Sequence, residues 1–156
     1  MGYKIKSKGT FNLSDLYVEL HLWFEHHGYS WRELEYKKKF LGGGTTRIEV
    51  LWQCVREVDD YTNFVISLNM AADMSDVEVT LDGGKKVKRQ KGGLEFRSGA
   101  TLKKNVDVWE GKAFGNMQAK VYEMLNHDRL EAQKGELYGE AHKLYDELKA
   151  FMMLYR

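Results

Sequence analysis

Proline is absent from this chain of 156 residues, and cysteine occurs once. Ordinary usage of about 5% would supply roughly eight prolines. Their absence excludes proline-rich linkers, polyproline recognition segments and collagen-like repeats. Turns must then be made by Gly, Asn and Asp, and charge becomes the main means of guarding an exposed strand edge. Cys54 alone closes no internal disulfide, which fits a reducing compartment and leads us to expect a cytoplasmic protein. The longest uncharged run, Tyr61 to Ala72, has twelve residues, too few to span a bilayer. The opening segment, Met1 to Phe11, has no apolar stretch of the kind a secretory leader needs. Asn12-Leu13-Ser14 reads as helix-capping chemistry rather than a glycosylation site.

What is present describes a globular chain. Hydrophobic residues make up 43%, aromatics 13% and charged residues 30%, with a formal net charge of +1. That content is too apolar for disorder, and the length suits one domain. We expect a single α+β domain over 1–156, sheet-rich over 1–110 and helical over 111–156.

Tyr3 and Ile5 alternate with Lys4, Lys6 and Lys8, predicting a half-buried strand with a basic outer face. Leu13, Leu16, Leu20, Phe24 and His27 then recur at helical steps, with Asn12 or Ser14 placed to cap and Gly28 to terminate. From Trp31 to about Lys104 the period falls to two. Glycine clusters at 42–44, 83–84 and 92–93 read as hairpin turns dividing an antiparallel meander of six to seven strands. Helical periodicity returns after that, broken near Asn126-His127-Asp128. Met117 and Val121 mark the first piece. Leu130, Leu137, Ala141, Leu144, Leu148, Phe151 and Tyr155 form a heptad-like seam in the second. This order of one strand, a helix, a meander and a long terminal helix resembles the helix-grip proteins of START and Bet v 1 type. The resemblance implies a curved sheet around the last helix and an apolar ligand cavity; a single helix follows the first strand here, where those proteins usually have two.

Motifs for chemistry are sparse. His21 and Glu25 lie one turn apart and are the weak candidates for a metal, but His-Glu-x-x-His is missing and one cysteine does not build a structural zinc site. No metal or cofactor is expected. Gly42-Gly43-Gly44 precedes a strand rather than a helix, so it is no phosphate loop. Neither Ser98-Gly99 nor Cys54 carries a nucleophile motif. No catalytic residue is assigned, and an enzyme without a recognisable motif ranks third among the functional readings.

The first reading is a non-catalytic interaction protein. Between Lys85 and Lys104 stand eight basic residues and one acid, whereas the preceding 84 residues carry net −4 and the last 52 net −2. Lys85, Lys86, Lys88, Arg89, Lys91 and Arg97 therefore form a candidate anion-binding ribbon for nucleic acid or an acidic protein; the competing explanation is lysines guarding a strand edge. The terminal helix is a candidate for self-association into a homo-oligomer. The second reading is an apolar small-molecule pocket between sheet and helix, with Trp52, Phe64, Tyr138, Tyr145 and Phe151 as candidate pocket or interface residues.

Overall fold

The computed structural model describes residues 2–104, 120–121 and 124–154. Of the residues invoked above, Met1, Met117 and Tyr155 lie outside that set. The chain runs β1 (Gly2–Phe11), α1 (Leu13–His26), β2 (Ser30–Gly42), β3 (Thr45–Glu57), β4 (Thr62–Thr80), β5 (Lys86–Lys104) and α2 (His127–Leu154). The architecture is α+β, as expected. The strands form one antiparallel sheet in the order β1-β5-β4-β3-β2.

Among the described residues the expected six to seven strands are five. The segments that read as separate strands before and after Asp73-Met74-Ser75-Asp76 are one continuous β4, and those on either side of Gly92-Gly93 are one continuous β5. Gly92 makes no turn: it pairs with Gly9 on one side and Met74 on the other. Its φ is +153°, and a Cβ there would fall 1.9 Å from the Asp73 carbonyl oxygen. It is glycine because two backbones approach closely at this point. The helix-grip likeness reduces to a long terminal helix packed on an antiparallel sheet.

Helix α1 forms where its apolar spacing and caps agree. Asn12 accepts from the Asp15 amide at 3.2 Å, and Gly28, at φ +84°, follows the C-cap residue His27. Leu13, Leu16, Leu20 and Phe24 face the sheet. The seam of α2 is spent in the same way: Leu130, Leu137, Ala141, Leu144, Leu148, Phe151 and Met152 are buried. Together these side chains cover one face of the sheet, meeting Val50, Trp52 and Cys54 of β3, Phe64 to Met74 at alternate positions of β4, and Leu94 and Phe96 of β5. Each large apolar side chain buried this way contributes roughly 1.5–3 kcal/mol.

Two polar anchors fix α2. Glu140 accepts from the Tyr29 hydroxyl and, at 2.5 Å, from Arg56, whose guanidinium also lies over the Phe64 ring. Burial first, and then the Glu140 carboxylate, push the Tyr29 phenol far above its ordinary range. Asp59 accepts from the amides of Tyr61 and Thr62, both at 2.8 Å, and from Gln133 and Arg129 of α2. Both clusters lie at the end of the sheet where β3 hands over to β4.

Candidate functional site

Because side chains alternate along each strand and paired residues share a face, the register assigns a face to every paired strand residue. Both helices lie on the face carrying Trp52 and Phe64. The opposite face is covered by neither. Register rows cross it from edge to edge: Lys6, Glu95, Ala71, Glu49 and Lys37 form one, and Lys8, Gly93, Asp73, Arg47 and Lys39 the next.

This open face is where the positive charge collects. From the edges come Lys4, Lys6 and Lys8 of β1 and Arg32, Lys37 and Lys39 of β2; from the interior come Arg47 of β3 and Arg89, Lys91, Arg97 and Lys103 of β5. Against these eleven cations stand five carboxylates, Glu35, Glu49, Glu57, Asp73 and Glu95, a net of +6. The remainder of the sequence holds thirteen basic and eighteen acidic residues, net −5. A nearly neutral chain has thus been folded into a polar object.

Several carboxylates are already neutralised. Glu95 is shared by Arg97 at 2.8 Å, Lys4 at 3.5 Å and Lys6 at 3.8 Å, so that cluster keeps a surplus of two positive charges. The hydrogen bond from Arg97, with Lys4 and Lys6 adding to it, holds the Glu95 carboxyl below the usual range. Asp73 receives a two-pronged contact from Arg47, at 2.8 and 3.1 Å, and is held low by it. Glu35 faces Lys37 at 3.7 Å.

The middle of the face is low because its residues are small: Gly93, Gly99, Ser67, Asn69 and Ala71. Long side chains on either side leave a trough of about 640 Å³, lined by Lys6, Lys8, Arg47, Glu49, Asp73 and Glu95 over a floor of Ala71 and Gly93. Register places no aromatic residue on this face among the described residues; the strand aromatics Tyr3, Phe11, Trp31, Tyr36, Phe40, Trp52, Phe64 and Phe96 all take positions on the other.

The candidate ribbon residues fall on the turn after β4 and on β5. β3 ceases to pair with β4 beyond Ser75 and β1 ceases to pair with β5 beyond Gln90, so β4 and β5 run on as a two-stranded projection of about 14 Å, counting four residues at ~3.4 Å each. Gly83 and Gly84, at φ +90° and +81°, close its tip. Its charge is smaller than the linear sequence suggests. From Asp76 to Lys91 the projection and its base hold five basic residues and three acidic ones, since β4 brings Asp76 and Glu78 back beside β5, with Glu78 directly opposite Lys88. The ribbon lysines also divide between faces: Lys86 and Lys88 on the helix side, Arg89, Lys91 and Arg97 on the open side, and Lys85 in the turn. The residues the linear reading missed are Arg32, Lys37 and Lys39 of β2 and Arg47 of β3. Lys4, Lys6 and Lys8 were legible as a basic strand face, but nothing along the chain indicates that β1 and β2 end up as the two edges of one sheet face.

The other candidates are placed as follows. Trp52 and Phe64 are wholly buried, Phe151 is buried, and Tyr145 is half-buried with its ring 4.8 Å from that of Tyr3. Tyr138 is exposed. The His21 and Glu25 side chains approach to 4.0 Å on the solvent side of α1, with the His21 ring against Trp31. Among the described residues no three His, Cys, Asp or Glu side chains converge for a metal. Cys54 is buried, and burial pushes its thiol up to about 12. A cleft of about 460 Å³ opens on the helix side where α1 begins, lined by Leu13, Tyr17, Tyr36, Ile48, Met70 and Met74 with Lys38, Asp76 and Gln90 among its polar members. Among the described residues no helix is long and apolar enough to cross a membrane. The chain matches no protein-family model, no curated protein and no solved structure.

Proposed function

We propose that the protein is a non-catalytic module that binds the phosphate backbone of nucleic acid through the open face of its sheet. The observation that carries this is the charge division: net +6 on a face covered by neither helix, against net −5 for everything else. Phosphate contacts need Lys and Arg at regular intervals, and strand alternation supplies them at about 7 Å. An acidic protein is the poorer partner, because the cores of protein interfaces are enriched in aromatics and depleted in Lys and Glu, the reverse of this surface. The projection adds Arg89 and Lys91 at one end of the same face.

Fluorescence anisotropy with labelled oligonucleotides tests the reading. Engagement of about six phosphates gives a slope of log K against log salt near −5, and a loss of roughly 10³-fold in affinity between 50 and 200 mM salt. Replacing Lys8, Lys91 and Arg97 by Gln should reduce the slope by about three, while Lys143→Gln and Lys149→Gln on α2 leave it unchanged. Salt-independent binding, or binding to polyglutamate but not to nucleic acid, would overturn the proposal.

The 460 Å³ cleft favours a second reading, a site for an apolar small molecule. The Tyr17 hydroxyl beside it is enclosed without a hydrogen-bond partner, and burial, with Glu33 and Tyr36 adding, pushes it up to about 12. An anilinonaphthalene dye should brighten on the folded protein and lose that response on Ile48→Arg; no brightening ends this reading. The apolar seam of α2 is consumed by the sheet, so self-association through it does not enter the proposal.

A further inference from the structure

The open face also selects the kind of nucleic acid, an inference that rests on the phosphate-binding reading above. Its cations are not spread evenly. Lys6 and Lys8 stand on one edge strand and Lys37 and Lys39 on the other, and the register aligns Lys6 with Lys37 and Lys8 with Lys39. Four strand spacings of ~4.8 Å separate the two pairs, about 19 Å in all. The Lys6 and Lys37 side chains are two-thirds exposed, at 66% and 68%. Between the two rows the floor is low at Gly93 and Ala71; Glu95 and Asp73 are held by Arg97 and Arg47, and Glu49 stands beside Lys37 on the β2 side.

A single strand would use this surface badly. Proteins that bind single strands combine one basic track with aromatic side chains on which bases stack, and this face has a lysine row on each edge, further cations between them on β3 and β5, and no aromatic among the described residues. Two aligned rows across a low floor suit two phosphate strands on either side of a groove. The major groove of B-form DNA is about 12 Å wide, leaving roughly 3–4 Å on each side for the flexible four-carbon stems of the lysines to cover. We infer that the sheet straddles a groove of duplex nucleic acid, with the β1 row on the phosphates of one strand and the β2 row on those of the other. Recognition is then by backbone position and independent of sequence.

The test compares a short blunt DNA duplex with its separated strands, at equal phosphate concentration, using the full chain and two double variants, Lys6→Gln with Lys8→Gln and Lys37→Gln with Lys39→Gln. Circular dichroism confirms that each variant is folded. The duplex should bind at least about tenfold more tightly than either strand, and each variant should lose roughly tenfold or more of duplex affinity with the salt slope reduced by about two. Shuffling the duplex sequence should change nothing. Equal or tighter binding of single strands, or a β2 variant that binds duplex as well as the parent, overturns the two-row inference and leaves the phosphate-binding reading standing. If neither form binds at 50 mM salt, the phosphate-binding reading falls and the two-row inference falls with it.

Discussion

Two adjacent glycines in β5 should respond oppositely to the same substitution. At Gly92 the backbone has φ +153°, and an added Cβ lies 1.9 Å from the Asp73 carbonyl oxygen, with the Asp73 carbonyl carbon at 3.0 Å and the Met74 Cα at 3.2 Å. No side-chain rotation relieves an overlap with backbone, so β4 and β5 must separate by about 1 Å or more. The unfavourable backbone conformation costs about 1–3 kcal/mol for a residue with a Cβ. Weakening the two flanking ladder hydrogen bonds adds about 1 kcal/mol each. Gly92→Ala should therefore destabilise by roughly 3–5 kcal/mol, a large part of the ~5–15 kcal/mol typical of a folded domain. At about 2–4 °C per kcal/mol for a chain of this size, Tm should fall by roughly 6–20 °C. Gly93 has an ordinary φ and nothing within 4 Å of an added Cβ, so Gly93→Ala should be neutral or stabilising by up to about 1 kcal/mol. Urea titrations followed by circular dichroism, with equal m-values for the three proteins, measure both effects. If Gly92→Ala unfolds within 1 kcal/mol of the parent, or if Gly93→Ala costs as much, the close approach of β4 and β5 is not what fixes glycine at this position.

Asp59 predicts a pH dependence. Burial alone would raise its carboxyl, but hydrogen bonds from Gln133 and the Tyr61 and Thr62 amides, with the Arg129 charge, hold it below its ordinary 3.8. Just below that value the unfolded chain binds a proton that the folded one does not, so Asp59 stabilises the fold fully above about pH 5 and progressively less as pH falls through 3.8 and below. The stability difference between parent and Asp59→Ala, roughly 2–3 kcal/mol from the lost hydrogen bonds, should be constant from pH 5 to 8 and shrink at lower pH; a difference that grows on acidification contradicts this. Cys54, buried and with its thiol pushed up to about 12, should be silent to a disulfide reagent at pH 8 in the native protein and react with one equivalent in denaturant. Rapid reaction without denaturant would show that β3 is open at that point.

Much of the local structure was legible along the chain because its causes are local. The capping of α1 by Asn12, the termination at Gly28 and the break before α2 follow from hydrogen-bonding chemistry within a few residues. The same holds for the turns at Gly42-Gly43-Gly44 and Gly83-Gly84, where positive φ is needed. The miscount of strands has a specific origin. In β4 the buried apolar residues occupy even positions from Phe64 to Met74, whereas Val77 and Val79 stand at odd ones. A change of phase reads as a turn and a new strand. In the fold the strand runs straight through, and the apolar side changes from the helix face to the open face where the helices stop covering it. Gly92-Gly93 misled in the same way, since a glycine required by a neighbouring backbone is indistinguishable in sequence from one required by a turn.

The candidate site divides along the same line. The sequence by itself determined that a neutral chain holds its cations unevenly, that β1 has a lysine face, and that the standard metal and nucleophile motifs are missing. Only the tertiary structure decided what that charge amounts to. Antiparallel pairing set Asp76 and Glu78 beside the basic half of the ribbon and diluted it, while the strand order placed Lys6 and Lys8 on the opposite edge of one face from Lys37 and Lys39. Side-chain alternation is a property of each strand and can be read locally; which strands lie together, and hence which charges add and which cancel, is set by pairings between residues as far apart in the chain as Gly2 and Gly99.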